Sequence, residues 1–452
     1  MARVKGIRSV SRFTELGKVR YRRCSYRCST CGTRAFPVDR DLDLAPNLRG
    51  HSLEFASKLV LLCTVVPFGK GCELFQSLAG IAVSTQLARA LAFSIGTRMF
   101  EDEIARADDL WDKRLTSPTL FEPTPAKLRA LQRHRRIYIM QDNSKVGLQE
   151  GKRGRGAPAR GVSTRHLKRA AQHAKRKAVA AAKRSKAGPK APDSPKTELD
   201  GLLGDGWKDA RALLIFREED VAQVGKNRRQ ILHRRILAHV GTADEWRKLL
   251  HMAFHEEGVY TAHEVIAVAD GGSGIWELID DLLPNTSSRK VVQILDWYHA
   301  VSHLWAVGRA LKGCKTERDQ RHCREWVEPL IDYLATGRTA NVLQRLAKIR
   351  GARGEAAQAL RRCLKYLETH RHRMRYQYFR ERGMHIGSGA IESVHAWVIQ
   401  PRCRLPGMRW SQQGINAMLR LRCAWACGTW DEKFRAAATS PAPTPRHTGA
   451  AA

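Results

Sequence analysis

Val265-Ile266-Ala267-Val268-Ala269-Asp270-Gly271-Gly272 is an unbroken apolar run that closes on a carboxylate and two glycines. Its length and its β-branched content read as a buried strand from Glu264 to Ala269. Ile137-Tyr138-Ile139-Met140-Gln141-Asp142 repeats the pattern upstream, again with an acid at the end. Gly387-Ser388-Gly389-Ala390-Ile391-Glu392 offers a third acid, at the start of a helical pattern whose apolar face is Ile391, Val394 and Val398. The chain carries 79 Lys and Arg against 44 Asp and Glu. A carboxylate that ends an apolar strand in such a chain sits at the edge of a low-dielectric core among cations, and must be used or paired.

Regular patterning surrounds these stretches. Ala212 to Phe216 and Gln230 to Leu237 read as strands, and Thr242-Ala243-Asp244-Glu245 is a capping box that opens a helix running through Phe254. A short helix around Ile275 to Ile279 and a strand Val291 to Leu295 follow, and helical spacing then fills residues 297 to 380. The expected class is α/β: a mixed sheet flanked by helices, with a helical insertion ahead of the last acid and a helical amino-terminal region. The expected boundaries are 1–48 for a basic, cysteine-bearing module and 49–130 for a helical DNA-binding region. The catalytic core follows at 131–305, interrupted by a basic insert at 145–196. The helical insertion is placed at 306–383, the last acid's helix and its successors at 384–435, and a disordered tail at 436–452.

With 452 residues and a formal net charge of +35, the chain calls for a polyanionic partner, and nucleic acid is the economical one. No apolar run approaches the roughly 18 to 20 residues that span a bilayer, so no membrane partner is expected. The expectation is a soluble cytoplasmic protein associated with the nucleoid. Eleven cysteines, an odd number scattered through the chain, argue for reduced thiols. Cys28 and Cys31 alone have metal-ligand spacing, and they supply two of the four ligands that a structural Zn²⁺ needs. A small unmetallated module is the preferred reading of them.

Between two helical patterns, Gly80 and a potential cap at Ser84 make a helix-turn-helix reading available, in which Thr85, Gln86, Arg89 and Ser94 face the major groove. A plain helical hairpin has the same periodicity. Lys175-Arg176-Lys177 and Lys183-Arg184 belong to the basic insert, read as a phosphate-binding segment or a solvated loop. Arg371, Arg373, Arg375, Tyr376 and Tyr378 are further candidate DNA contacts.

In-line displacement at phosphorus needs an activated oxygen and a stabilised leaving oxygen, and two divalent ions do both. Hard carboxylate oxygens suit Mg²⁺ or Mn²⁺. One Asp at a strand end is commonly a cap or turn former. Three acids, two of them beside glycines that admit a phosphate backbone, favour a joint metal site at Asp142, Asp270 and Glu392.

The later motifs carry a resemblance. Val291-Val292-Gln293-Ile294-Leu295-Asp296-Trp297-Tyr298-His299, then Ile386 to Glu392, Gly407-Met408-Arg409-Trp410-Ser411 and Leu419-Arg420-Leu421-Arg422 resemble DDE transposases of bacterial insertion sequences, most closely the Kra-type group allied to Mutator-like elements. Similarity also appears at 20–37 and at Val83-Ser84. The resemblance implies a ribonuclease-H-like catalytic domain that cuts transposon ends and joins the freed 3′ hydroxyl to target DNA. Asp142, Asp270 and Glu392 would then be the ligands of two ions, with Asp296 and His299 auxiliary and Arg409 a DNA contact. It further implies double-stranded DNA substrates and a homo-oligomer on them. Asp142 is followed by Asn143 where the family usually has glycine, and a cysteine pair upstream of Cys28 is missing. Two other functions keep the same residues: a nuclease without strand transfer, and an inactive transposase-derived DNA-binding protein.

Overall fold

A computed structural model describes residues 2–32, 34–41, 48–116, 136–149, 206–226, 228–272, 274–285 and 289–440. Lys175, Arg176, Lys177, Lys183 and Arg184, most of the basic insert, and the tail beyond 440 lie outside them. Among the described residues no helix is long and apolar enough to cross a membrane.

The chain opens on an antiparallel ribbon of β1 (Ala2–Thr14) and β2 (Gly17–Cys28), extended by β3 (Arg34–Ala35). The short helix α1 (Pro37–Asp41) folds back on it, so that Asp39 accepts from Tyr21 Oη at 2.8 Å and pairs with Arg23. Gly32, in a left-handed conformation at φ 72°, closes the cysteine turn by donating its N–H to Cys28 O at 3.1 Å. Three helices follow: α2 (Leu53–Val65), α3 (Phe68–Ala79) and α4 (Thr85–Thr116). Ser84 Oγ accepts from Leu87 N at the start of α4. Sequence spacing implies two short helices around Gly80; the second instead runs for 32 residues. Its length has a tertiary cause, because the amino-terminal half packs on other helices and the carboxy-terminal half covers the sheet.

That sheet has five strands in the order β10-β9-β4-β5-β8. Strands β4 (Arg136–Gly147), β5 (Trp207–Arg217) and β8 (Arg235–His239) form an antiparallel meander. On the far side of β4, β9 (Glu264–Ala269) and β10 (Lys290–Leu295) run parallel to it. Alternation sorts the side chains. Tyr138, Met140, Leu214, Ile266 and Val268 enter one core, whereas Ile137, Ile139, Leu213, Ile215 and Val265 enter another on the opposite face. The second face is covered by α5 (Ala243–Glu256), opened by the expected Thr242–Glu245 capping box, while α6 (Ile275–Leu282) sits between the two cores, with Ile275, Trp276 and Ile279 in the first and Leu282 in the second. Arg136 Nε and Glu264 Oε2 pair at 2.9 Å and tie β4 to β9 at their amino-terminal ends.

One strand reading is corrected. Gln230 to Leu237 is not a single strand: Arg228–Ile231 is β7, paired in a separate ribbon with β6 (Val221–Gly225), and β8 starts at Arg235. The break is held from outside the segment, since Leu232 N donates to Asp220 O and Arg234 Nε donates to Ala426 O. No periodicity within the segment encodes those partners.

After β10 come α7 (Trp297–Lys312), α8 (Glu317–Ala335), α9 (Thr339–Ala347), α10 (Gly354–Thr369) and α11 (Tyr376–Glu381). They share the core on the first face of the sheet. Next, α12 (Gly389–Val394) passes through a π-helical segment, His395–Ile399, into α13 (Gln400–Cys403). The last helices are α14 (Gln412–Ala426) and α15 (Trp430–Thr439). Gly96 of α4 lies so close to Ala417 O of α14 that a β-carbon there would collide with it. The amino-terminal helices therefore share one core with the carboxy-terminal pair.

Candidate active site

In the parallel part of the sheet, Gln141 aligns with Ala269, and Leu295 aligns with the same Ala269. The next residue of each strand is an acid: Asp142, Asp270 and Asp296. Parallel neighbours lie about 4.8 Å apart, so a shared register is enough to set the three in a row where the parallel pairing ends. The expected strand end at Asp142 is corrected, since β4 runs on to Gly147 against β5.

Asp296 is fully buried and saturated with hydrogen bonds. Oδ1 accepts from Ser388 N at 2.9 Å and Tyr298 N at 3.3 Å, and Oδ2 accepts from His299 N at 3.0 Å, with His299 Nδ1 at 2.7 Å. Burial opposes its charge, but the His299 ring and these N–H groups hold its carboxyl below the usual carboxylate range. Its hydrogen bond to Asp296 raises the His299 pKa, burial offsets part of this, and the charges of Asp296, Asp270 and Asp142 add to it. The pair caps α7, and the neighbouring carboxylates favour the protonated form of the His299 ring.

Asp270 follows β9 and accepts from Gly272 N at 3.0 Å through Oδ1. Burial raises its pKa, and the negative charges of Asp142 and Asp296 push the same way. Asp142 accepts from Asn143 N at 2.7 Å through Oδ1, while Oδ2 lies 3.3 Å from His395 Nε2. His395 is buried, and its Nδ1 is 3.0 Å from Ser144 Oγ. Glu392 is exposed on α12; it accepts from Ser388 Oγ at 3.4 Å. Ser388 spends its backbone N–H on Asp296 and its hydroxyl on Glu392, and makes no side-chain cap for the helix.

Among the described residues, one group offers ligand atoms all within 4.8 Å of one another: Asp296, His299 and Glu392. Asp142, Asp270 and Glu392 do not form such a group. The chemistry of the donors still separates the two sets. Asp296 has both oxygens engaged by N–H donors, which suits an orienting anchor more than a metal ligand. Asp270 and Asp142 are mutually repelling carboxylates on neighbouring strands, whereas Glu392 is exposed on α12 and groups with Asp296 and His299.

Two expectations about surroundings are corrected. Gly271 is not open to a phosphate, because Tyr366 and His370 of the helical insertion lie against the place where its β-carbon would be. Likewise a β-carbon at Gly387 would be 2.7 Å from Tyr298 Cε2. Only Gly389 of this set has open space above it. Nor are Arg373 and Tyr376 free for DNA: both are buried, Arg373 Nε donates to Gln293 Oε1 at 2.7 Å, and Tyr376 Oη donates to Leu295 O at 3.1 Å. They fasten the insertion to β10.

Sequence reading missed the contact between His395 and Asp142 and the buried role of Arg422. Arg422 donates to Trp397 O and Val398 O in the π-segment and to Thr64 O at the end of α2. Burial lowers its pKa to about 10. A His three residues after the acid was the one local signal. Elsewhere, Thr85, Gln86, Arg89 and Arg409 are exposed. In the amino-terminal turn, hydrogen bonds from the Cys31 and Thr30 backbone lower the Cys28 thiol to about 7.

No family model matches the chain, and no curated protein matches it. Among solved structures, the Drosophila P element transposase strand transfer complex is similar at 11% identity, with 86% of this chain and 97% of that chain covered and a TM-score of 0.32. A likeness of that size does not establish a shared fold.

Proposed function

We propose that the chain is a DDE transposase of the insertion-sequence type, of the Kra-type group, with a ribonuclease-H-like catalytic domain. The observation that supports the reading is the parallel register of β4 and β9, which ends at Gln141 and Ala269, so that Asp142, within β4, and Asp270, just past β9, follow at the same level. A three-strand antiparallel meander with two parallel strands beyond its first member is the order such a domain uses, and it supports the same reading.

Asp142, Asp270 and Glu392 would hold two Mg²⁺ or Mn²⁺ ions in this reading, and the ions would supply Lewis acidity for displacement at phosphorus. Asp296 holds the His299 ring by Nδ1 and favours its protonated form, which would offer a positive charge to a phosphate at the rim. His395 keeps Asp142 in place from the helix that carries Glu392. The net charge of +35 draws double-stranded element ends and target DNA to the protein, which acts on them as a homo-oligomer.

The deciding assay uses a labelled duplex bearing the element end, a target duplex and Mg²⁺. Asp270→Asn is expected to abolish both cleavage and joined product while retaining binding. Joined product at the wild-type rate would refute the reading, and cleaved but never joined strands from the wild type would leave a nuclease.

A further inference from the structure

Between the first turns of α4 and the loop after α13 lies a cavity of about 970 Å³. Arg49, Arg89 and Arg409 stand on its walls, and Arg402 and Trp410 form part of its floor. None of the four carboxylates of the candidate active site lines it, and Glu101 is the one acid that does.

Arg402 is 1% exposed. Its Nε donates to Cys63 O at 3.1 Å, and its guanidinium lies 4.9 Å from the Phe68 ring centroid and 5.7 Å from that of Trp410. Among the described residues its Nη2 has no hydrogen-bond partner, and neither does the buried indole Nε1 of Trp410. A buried guanidinium among aromatic rings without a carboxylate is costly, and such charges are ordinarily paired. Arg49 adds a second cost: at φ 51° it is the one non-glycine residue with positive φ among the described residues. Backbone strain of this kind persists where the surroundings over-determine it, and it gathers at binding sites. Two unpartnered N–H groups, one of them on the buried Arg402 cation, thus meet beside a strained arginine at one cavity, and an anion would satisfy both donors and the charge.

We propose that this groove is a phosphate-binding site, filled by consecutive phosphodiesters of a DNA strand. A single phosphate would leave most of such a cavity empty, whereas guanidinium groups spread along its walls match a repeating anionic backbone. The choice of DNA rests on the transposase reading; the anion site itself does not.

The test uses the full-length protein and a fluorescent duplex, with affinity measured across a range of KCl concentrations. Arg402→Met keeps the length of the side chain and removes its charge; Arg89→Gln with Arg409→Gln alters only exposed positions. Each is expected to weaken binding about tenfold at moderate salt and to lower the slope of log affinity against log salt by about one per lost contact. Melting in the absence of DNA monitors folding, and if Arg402→Met is unfolded the exposed pair carries the test. Wild-type affinity and slope in the folded variants would overturn the proposal. So would a groove that inorganic phosphate stabilises thermally, in an Arg402-dependent way, while duplex affinity is unmoved, since its occupant would then be a free anion. Asp270→Asn serves as the control: strand joining by that variant would sink the active-site reading and leave the groove result standing.

Discussion

His395 Nε2 stands 3.3 Å from Asp142 Oδ2, so the first residue of the π-segment touches the acid of β4. The same continuous helix carries Glu392 three residues earlier. One side chain thereby fixes the distance between a strand-borne and a helix-borne carboxylate, and the π-segment behind it is clamped by Arg422. Widened turns of this kind recur at functional sites, where they re-aim a side chain without ending the helix.

His395→Ala should therefore act on geometry more than on binding. Loss of a buried ring that meets Ser144 and Asp142 costs about 1–3 kcal/mol of stability. A carboxylate displaced by about 1 Å is enough to lower a rate about 100-fold. Expected is strand transfer down by that order with duplex affinity unchanged; equal losses in both would identify a folding defect instead.

Asp296→Asn removes a charge that orients His299 and caps α7, at a cost of about 2 kcal/mol. The pH dependence follows from the two directions. Asp296, depressed in the fold, contributes above its unfolded pKa near 3.9 and loses the contribution as pH falls through its lower folded value. His299, raised in the fold, contributes fully below about 6.5 and loses it as pH rises through its folded value, with its share reduced by its partial exposure. The melting difference between wild type and variant should be widest between about pH 4 and 6.5 and narrow on either side. A difference constant with pH would show that the pair is not charged.

Gly271→Ala tests the packing of the insertion on the Asp270 loop. The added methyl collides with Tyr366, and overpacking of this sort costs about 1–3 kcal/mol. Tyr366→Ala in the same chain should recover most of the loss, so that a double-mutant cycle of chemical denaturation midpoints is strongly non-additive. Additive losses would mean that the two residues do not meet.

What the sequence disclosed was local. The Thr242–Glu245 capping box and the apolar run that ends at Asp270 depend on neighbours in the chain, and each forms where periodicity and cap chemistry put it, whereas the strand expected to close at Asp142 runs on to Gly147 because β5 pairs with it. The row of acids needed one added fact, the register of β4, β9 and β10, which no single strand contains. Composition weighs Arg402, Arg420 and Arg422 with the other cations and does not set them apart, yet all three are buried, held by carbonyls that come from distant segments. Gly271 and Gly387 read as room for a phosphate, because a glycine signals close approach without naming what approaches; here it is Tyr366 and Tyr298. The division of Gln230 to Leu237 between two sheets was hidden for the same reason, its determinants being Asp220 and Ala426.

Asp270→Asn should make the metal-free protein more stable while it disables the site. In the fold, burial and the charges of Asp142 and Asp296 oppose ionisation of Asp270, so near neutral pH its carboxylate destabilises the native state relative to the unfolded chain. A neutral amide of the same shape relieves that repulsion and keeps an oxygen to accept from Gly272 N. With chelator present, the variant is expected to melt a few degrees above wild type, in line with a gain of about 1 kcal/mol. Adding Mg²⁺ or Mn²⁺ should raise the wild-type melting temperature, because a ligand that binds only the native state stabilises it by mass action, and should leave the variant nearly unmoved. If the variant instead melts below wild type in chelator, Asp270 is a structural anchor. If both respond to the metal equally, the ions sit elsewhere.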